Sequence, residues 1–429
     1  MENFRIESLQ IAQVGPFRDV EMNFKPKKVN DKAEIHILTG GNGTGKSTIL
    51  QCLSFPKYYN GDLIVNKFWT NKPTSSFTIG YSVSPASPPM KWYLSQGNLD
   101  SNNWVPRLVE YSNKVGAKPE TVEFDFIIIA YSGYRQVSDF KVTGIQEIQE
   151  RPLFNANNFT NSINPQLFFQ WLVNVQTREL IAKGKGDIQK ANKYRSTIEI
   201  IENALGDIID SEVKFDLEEE PLGVKIKVDG QTLNFDQLPD GLKSMVSWMG
   251  DLLMRMDRLK WVNDTPVLER NFILLLDEIE VHLHPAWQRK ILPVVQKLFK
   301  NAQIFISTHS PFVVGSVDGA WVHRFEKKDG YSVLAGPPIL SEDAKSYDYI
   351  LEEIFGIKER FGVEVERKLQ DFQALKTSFL AEQRQDYALR LHQLVKELSG
   401  QSTELDSILG MELRQLKRLT NQDFSLTEI

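Results

Sequence analysis

A glycine-rich segment near the start of the chain has the residue types and spacing of a phosphate-binding loop. Residues 40–47 read Gly-Gly-Asn-Gly-Thr-Gly-Lys-Ser and fit the pattern G-x-x-x-x-G-K-S/T. Glycine allows the backbone to turn so that successive N–H groups converge on phosphate oxygens at a helix N-terminus. We expect Lys46 to reach the β- and γ-phosphates and the Ser47 hydroxyl to ligate Mg²⁺. The residues expected to bind the nucleotide here are Gly40, Gly41, Asn42, Gly43, Thr44, Gly45, Lys46, Ser47 and Thr48.

An acidic pair follows an apolar run in the second half of the chain. Residues 272–276 are all Phe, Ile or Leu, and Asp277 and Glu278 come directly after them. Because isolated buried charges are costly, two carboxylates at the end of a buried strand need a function. Asp277 would hold Mg²⁺ through a water of its shell. Glu278 would orient or deprotonate the water that attacks the γ-phosphate. The alternative is a strand end that is capped by surface carboxylates.

A histidine follows the next apolar run. Residues 304–306 lead into Ser-Thr-His-Ser-Pro, which places His309 within reach of the γ-phosphate as a catalytic residue. An ordinary loop histidine is the alternative. His282 and His284 lie near the same edge, so a zinc site is a further alternative, although the acidic pair and ATP explain the placement more simply.

The elements around these motifs predict an α/β fold. Uniformly apolar runs alternate with helical segments, which is typical of a parallel sheet covered on both faces. We expect residues 1–139 to form the N-terminal lobe of the main α/β domain, with the phosphate loop, and 140–210 a helical insertion. Residues 211–340 would complete this domain, and 341–429, with apolar residues at helical spacing, would form a helical C-terminal domain.

Composition narrows the function classes. The chain has 429 residues with 41% apolar and 25% charged residues and a net charge of −6. This balance disfavours a globally basic nucleic-acid binder. No apolar run is long enough to span a bilayer, and the first residues lack a signal-peptide core. Cys52 is the single cysteine, which excludes an internal disulfide and a multi-thiolate metal site. We therefore expect a cytoplasmic protein without membrane contact.

In combination and order, these motifs resemble the ABC-type ATPase heads of the SMC, Rad50 and RecF group. The resemblance covers roughly residues 1–335. It implies a mixed central sheet with an N-terminal antiparallel β-lobe, a helical insertion and a C-terminal all-helical tail. It also implies ATP and Mg²⁺ as cofactors, hydrolysis of ATP to ADP and phosphate at a rate that can be slow, and homodimers that sandwich nucleotide between heads, within a higher oligomer. Its motifs are Gly-Pro-Phe17-Arg18-Asp19, the phosphate loop, Asp277-Glu278 as Walker B, 282–285 at the D-loop position and 307–311 as the switch-histidine segment.

Two further motifs of that group match less closely. Residues 238–244 read Leu-Pro-Asp-Gly-Leu-Lys-Ser where the group has the L-S-G-G-Q signature. Pro239 replaces the serine and offers neither a hydroxyl nor an N–H, so Gly241, the helix N-terminus and Ser244 would have to contact the partner's phosphate. For the glutamine of the Q-loop, Gln136 is favoured and Gln51 is the alternative.

More narrowly, the chain resembles the ATPase subunits of bacterial antiphage defence systems, with the Septu ATPase as the nearest likeness and retron-linked and PARIS-type ATPases as relatives. This resemblance implies an ATPase that senses or gates while a separate nuclease partner cuts nucleic acid. The sequence after residue 341 has no H-N-H or D-x-D nuclease pattern, which agrees with a nuclease in trans.

Three other functions stay open from the sequence. The first is a RecF- or Rad50-like DNA repair or maintenance ATPase that binds DNA directly, for which the basic cluster at 183–195 is the candidate contact. A solvated helix face is the alternative for that cluster. The second is an ABC transporter subunit, which the long insertion and the divergent signature disfavour. The third is a non-hydrolysing nucleotide-bound scaffold, which Pro239 leaves open.

Overall fold

A computed structural model gives the fold of the chain. The structure describes residues 4–54, 76–82, 90–95, 114, 122–133, 142, 144–159, 163–220, 222–342 and 345–420. The chain divides into two compact units, Met1–Phe355 and Gly356–Ile429. The domain boundaries expected at 139, 210 and 340 remain predictions. Within the described ranges, no helix is long and apolar enough to cross a membrane.

The first unit contains all the strands of the described chain. In chain order they are β1 (Arg5–Val14), β2 (Phe17–Asn23), β3 (Glu34–Gly40), β4 (Ser76–Ser82), β5 (Met90–Ser95), β6 (Ile127–Tyr131), β7 (Val213–Glu219), β8 (Leu222–Val228), β9 (Gln231–Leu233), β10 (Phe272–Leu276), β11 (Ala302–Ser307), β12 (Trp321–Lys328), β13 (Tyr331–Leu334) and β14 (Ile339–Leu340). Most of them belong to one large mixed sheet, and β7, β8 and β9 form a small antiparallel sheet of their own.

Helices are found in both units. Those of the first unit are α1 (Lys46–Leu53), α2 (Pro165–Gly184), α3 (Ile188–Ile209), α4 (Asp240–Asp257), α5 (Pro285–Leu298), α6 (Pro311–Val314) and the single turn α7 (Tyr347–Tyr349). Those of the second unit are α8 (Val363–Glu382), α9 (Gln385–Leu398) and α10 (Thr403–Thr420).

The parallel part of the large sheet carries the candidate site. Its strands lie in the order β12–β3–β11–β10–β6, and each is parallel to its neighbour. Every residue of β6, β10 and β11 is buried, as expected for largely apolar strands covered on both faces. Because parallel strands end at the same edge, the segments after β3, β6, β10 and β11 are neighbours there.

An antiparallel lobe flanks this part of the sheet. Strand β1 pairs with β2 and with β4, and β4 pairs with β5, all antiparallel. The turn between β1 and β2 contains Gly15 with a φ of 54°, in the left-handed region that glycine tolerates. Ser332 of β13 donates its N–H to the Pro16 carbonyl at 2.9 Å, which ties this turn to the β12–β13 hairpin.

Two antiparallel helices form the insertion between the phosphate loop and the acidic pair. Helix α2 begins at Pro165, where the Asn164 side chain accepts the N–H of Gln166 at 3.1 Å. Helix α3 begins after Asp187, whose carboxylate accepts the N–H of Lys190 at 3.1 Å. Both are ordinary N-caps. The predicted fold class is therefore confirmed: a mixed central sheet with an antiparallel lobe, a helical hairpin and an all-helical C-terminal unit.

The second unit is a bundle of three helices around small apolar clusters. One cluster contains Phe372, Phe379, Leu391, Val395 and Leu416, all buried, and a second contains Leu398, Leu405 and Leu409. These residues recur at intervals of three, four or seven positions within their helices, so one stripe of each helix is buried.

A buried polar network lies at the opposite end of β3 from the phosphate loop. The Glu34 carboxylate accepts hydrogen bonds from Arg5 Nε at 2.9 Å and Gln303 Nε2 at 2.7 Å, and pairs with His36 Nε2 at 2.8 Å. Burial acts to raise the pKa of Glu34, but the hydrogen bonds and charges of His36 and Arg5 outweigh it and lower the pKa to about 2. His36 Nδ1 in turn meets His323 Nε2 at 3.2 Å.

Candidate functional site

The phosphate loop connects β3 directly to α1, and two of its glycines are required by their surroundings. Gly40 has a φ of 148°, and a Cβ there would lie 2.3 Å from the Phe325 carbonyl oxygen of β12. Gly45 has a φ of 91°, and a Cβ there would lie 2.5 Å from the Phe17 ring. No L-residue with a side chain fits either position without displacement. Neighbouring elements therefore fix the curvature of the loop. The ring of Phe17, the first residue of β2, lies next to the loop at Gly45.

Lys46 lies inside the loop and is only 6% exposed. Its Nζ donates to the Gly40 carbonyl at 2.9 Å and to the Gly41 carbonyl at 3.1 Å. Burial lowers the pKa of the Lys46 ammonium, and the charges of nearby carboxylates oppose that shift. A cation held by neutral carbonyls in a partly desolvated loop is suited to bind an anion strongly.

Ser47 and Asp277 meet at the shared edge of the sheet. Ser47 Oγ donates to Asp277 Oδ1 at 3.1 Å across 230 positions of sequence. Ser307 Oγ at the end of β11 donates to the same Asp277 oxygen at 2.5 Å. The residues fit Mg²⁺, because a hydroxyl and a carboxylate oxygen side by side are the hard oxygen donors that this ion prefers. The structure thus brings Ser47 and Asp277 together, and their role as metal ligands remains a prediction.

Glu278 is held at the same edge by its backbone. Its N–H donates to Ser307 Oγ at 2.8 Å, so one buried hydroxyl contacts both members of the acidic pair. Glu278 has a φ of 47°, an uncommon conformation for a residue with a side chain. A Cβ built on Gly133, two residues after β6, would lie 2.9 Å from the Glu278 Cβ and 3.1 Å from its Oε2. The absence of a side chain at Gly133 therefore leaves room for the carboxylate.

His309 follows β11 and is partly exposed. Burial lowers the pKa of its imidazole, and the Lys46 charge lowers it further, while Glu280, Glu278 and Asp277 act in the opposite direction. The main-chain N–H of His309 donates to Glu280 Oε1 at 2.5 Å. The structure therefore places His309 at the same edge as Lys46 and the acidic pair, as the sequence predicts.

The segment that resembles the signature motif begins helix α4. Pro239 and Asp240 are exposed, and the helix has no side-chain N-cap. Gly241 is buried, and a Cβ there would lie 2.6 Å from the His282 carbonyl. Ser244 is 1% exposed. In this arrangement Gly241 supports close packing against the D-loop segment and Ser244 does not present its hydroxyl at the surface, so their expected contacts with a partner's phosphate remain predictions.

The D-loop segment is shaped by its own hydrogen bonds. His284 is the N-cap of α5, and its Nδ1 accepts the Ala286 N–H at 3.2 Å. His282 has a φ of 66° and is exposed. Among the residues that the structure describes, no group of three or more His, Cys, Asp or Glu side chains is arranged to hold a metal ion.

The remaining predicted nucleotide contacts lie on or just after the loop. Thr44 Oγ1 donates to the Gly41 carbonyl at 2.8 Å, and Thr48 is buried on α1. Asn42 is exposed at the loop tip. Gln136, the favoured Q-loop residue, lies outside the described residues, whereas Gln51, the alternative, lies on α1.

Three residues of the site were not found by sequence reasoning. Gly133 and Glu280 lie next to quoted motifs, but only the fold shows what they contact. Lys327 of β12 is the third. Its ammonium lies beside the phosphate loop, because a Cβ built on Gly43 would be 3.4 Å from Lys327 Nζ. Lys327 is exposed near the end of β12. A signal for Glu280 was present, because it is a third acidic residue within four positions of the strand end.

Two family models match parts of the chain. The model described as "AAA domain, putative AbiEii toxin, Type IV TA system" matches residues 186–315, and the model described as "AAA domain" matches residues 4–56. The second match contains the phosphate loop, and the first contains the acidic pair and the switch-histidine segment.

Whole-chain comparisons give relatives of the same kind. The chain is 24% identical to the Retron Ec83 probable ATPase of Escherichia coli, with 98% of this chain and 88% of that protein covered. It is 22% identical to the Septu protein PtuA of Bacillus thuringiensis, with 72% of each chain covered. The SMC head domain from Thermotoga maritima aligns at 13% identity and a TM-score of 0.40, over 78% of this chain and 99% of that one. The chain thus has homologues among retron ATPases and Septu PtuA proteins, which confirms the resemblance inferred from its motifs.

Proposed function

We propose that this chain binds and hydrolyses ATP with Mg²⁺ as an ABC-type ATPase. The observation that carries the proposal is the 3.1 Å contact between Ser47 of the phosphate loop and Asp277 of the acidic pair. The two residues are 230 positions apart in the sequence, yet the fold places their oxygens side by side at one edge of the sheet. Such a pair of oxygens is suited to hold Mg²⁺. The relatives support the proposal, because one is named a probable ATPase and another a Septu protein PtuA.

Each side chain then has a defined role in phosphoryl transfer. When bound, Mg²⁺ would supply positive charge that neutralises the phosphates. Ser47 would hold it directly and Asp277 through a water. Lys46 would exchange its two carbonyl contacts for phosphate oxygens. Glu278 would accept the proton of the attacking water, and His309 would contact the γ-phosphate.

Nucleotide binding by Lys46 and Asp277 variants tests these roles. Lys46→Ala should raise the Kd for ATP in the presence or absence of Mg²⁺, because the phosphate cation is lost. Asp277→Asn should weaken ATP binding only when Mg²⁺ is present, since its role is to hold the metal. Exposed Lys328→Ala is the matched control for the lysine variant. Wild-type affinity in both site variants would contradict the assignment.

We further propose that two heads of this protein sandwich ATP, within a larger homo-oligomer. The support is the resemblance to dimerising heads and the exposed start of α4, where Pro239 and Asp240 leave the first helical N–H groups without a side-chain cap. In mass photometry, the Glu278→Gln protein should form particles of higher mass with MgATP than with MgADP. An unchanged mass at concentrations that saturate ATP binding would rule out nucleotide-driven assembly.

The division of labour with a separate nuclease in antiphage defence is proposed from the relatives. Affinity purification from the native host, with mass spectrometry of the co-purified proteins, should recover a nuclease subunit. The purified chain alone should not cut DNA, and cutting should be seen only when that subunit is added. Efficient DNA cleavage by the chain alone, with contaminating nucleases excluded by controls, would contradict this proposal.

A DNA repair or maintenance ATPase that binds DNA directly is the second candidate. Lys183 pairs with Glu179 at 2.6 Å, and Arg195 with Glu199 at 3.1 Å, so these two cations are partly neutralised. Three lysines of the hairpin are exposed and have no ion pair within the described chain: Lys185, Lys190 and Lys193. A salt-dependent, ATP-stimulated affinity for DNA that is lost when these three become Gln would favour this candidate.

A further inference from the structure

Glu280 connects the segments that follow two neighbouring strands of the parallel sheet, β10 and β11. It lies three residues after Asp277, and its Oε1 accepts the main-chain N–H of His309 at 2.5 Å. The bond joins the segment after β10 to the segment after β11 across 29 positions. A charged acceptor on a main-chain N–H is a strong hydrogen bond, so it fixes the backbone from which the His309 side chain projects.

The other carboxylate oxygen of Glu280 has a different environment. Oε2 is buried and has no hydrogen-bond partner. Leaving a buried acceptor unpaired costs free energy, and such groups often belong to functional sites. The Glu280 charge acts on both the His309 imidazole and the Lys46 ammonium. Oε2 is therefore an unused acceptor close to the phosphate lysine and the switch histidine.

We propose that Glu280 is a positioning residue for His309. Oε1 anchors the main chain at His309, and Oε2 accepts a ring N–H of the imidazole when His309 turns toward the γ-phosphate. The proposal rests on the proposed ATP hydrolysis at this site. Glu280 makes no contact with nucleotide and transfers no proton; it acts through the orientation of the imidazole.

Two substitutions distinguish the roles of the two Glu280 carboxylate oxygens. Glu280→Gln keeps one carbonyl oxygen for the His309 N–H, but it places an NH₂ donor where Oε2 was. Glu280→Ala removes both acceptors. Glu219→Gln at the exposed end of β7 is the matched control, because it removes a carboxylate of the same length from the small sheet, which is separate from the sheet that carries the site.

Kinetics in two backgrounds test the imidazole contact. Glu280→Gln should lower kcat about 10-fold or more with the Kd for ATP unchanged, which is a typical loss for a displaced catalytic group. In a His309→Ala background, the same substitution should have almost no further effect, because the group it orients is absent. Wild-type kcat in Glu280→Gln, or an equal fold-loss in both backgrounds, would overturn the proposal.

Hydrogen exchange at His309 distinguishes this proposal from a failure of the proposed function. Glu280→Ala should speed exchange of the His309 amide, whereas Glu280→Gln should not. If wild-type protein binds no ATP or hydrolyses none, the proposed function fails, and the exchange result alone decides whether Glu280 anchors this segment. An exchange rate unchanged in Glu280→Ala would overturn the anchoring.

Discussion

Gly133 gives the sharpest prediction about the proposed base. In Gly133→Ala, the new methyl would lie 2.9 Å from the Glu278 Cβ, 3.1 Å from its Oε2 and 3.3 Å from the Asp277 carbonyl. Gly133 does not have a left-handed φ, so alanine meets no backbone penalty there. The perturbation is therefore a methyl group pressed against one carboxylate.

The size of the effect follows from these distances. Ordinary carbon–carbon contact begins near 3.5 Å, so Glu278 must retreat by about 0.5 Å. A misplacement of roughly 1 Å can cost about 100-fold in rate, so we expect kcat to fall about 10-fold. The phosphate loop is not touched, so the Kd for ATP should stay the same. Overpacking should cost about 1–3 kcal/mol of stability at most.

The assay is the steady-state rate of phosphate release with a separate ATP-binding titration. Gly144→Ala is the matched control, because a Cβ at Gly144 has no neighbour within 4 Å. Melting temperatures of the two variants show whether Gly133→Ala remains folded. Wild-type kcat in folded Gly133→Ala would refute the reasoning, and so would a loss that lies wholly in ATP affinity.

Three other predictions concern the loop, its neighbours and the buried network. Gly45→Ala would place a Cβ 2.5 Å from the Phe17 ring at a φ of 91°, so ATP affinity measured by calorimetry should fall at least ~10-fold; wild-type affinity would contradict the close fit of the loop. Lys327→Ala should weaken ATP binding about 3- to 10-fold if its ammonium reaches a phosphate, whereas Lys328→Ala should not, and equal effects would remove the special role of Lys327. The pKa of Glu34 is about 2, below its usual 4.5, so its stabilising contribution is present above pH 4.5 and is lost as the pH falls toward 2. The free energy of unfolding measured in urea should therefore fall by on the order of 2 kcal/mol between pH 5 and pH 3 because of this group. Glu34→Gln should remove this part of the pH dependence.

The local patterns in the sequence predicted the elements on which the site is built. Residues 272–276 are uniformly apolar and form β10 in the buried middle of the sheet. Pro285 predicts the start of a helix, and α5 begins there. The Asp229-Gly230 pair predicts a hairpin, and it joins β8 to β9. In each case the deciding interaction is between residues a few positions apart, so periodicity and turn chemistry were sufficient.

The contacts between motifs could not be predicted in this way. Gly133 matters because of Glu278, and Glu280 matters because of His309, and each pair is joined only by the order of strands in the sheet. Ser244 shows the same limit from the other side. Its place in the motif suggested an exposed hydroxyl, but α4 is covered on nearly all sides and the residue is buried. Burial depends on neighbouring elements that no local pattern of polar residues reveals.

Phosphate release by Glu278→Gln, at MgATP concentrations that saturate both proteins, is the most direct test of the central claim. The wild-type protein should release phosphate continuously. Glu278→Gln should bind ATP with the same Kd but release phosphate about 100-fold more slowly, because the proton acceptor for the attacking water is lost. Undiminished release by Glu278→Gln would contradict the assignment of Glu278 as the base, and with it the proposed mechanism at this edge of the sheet.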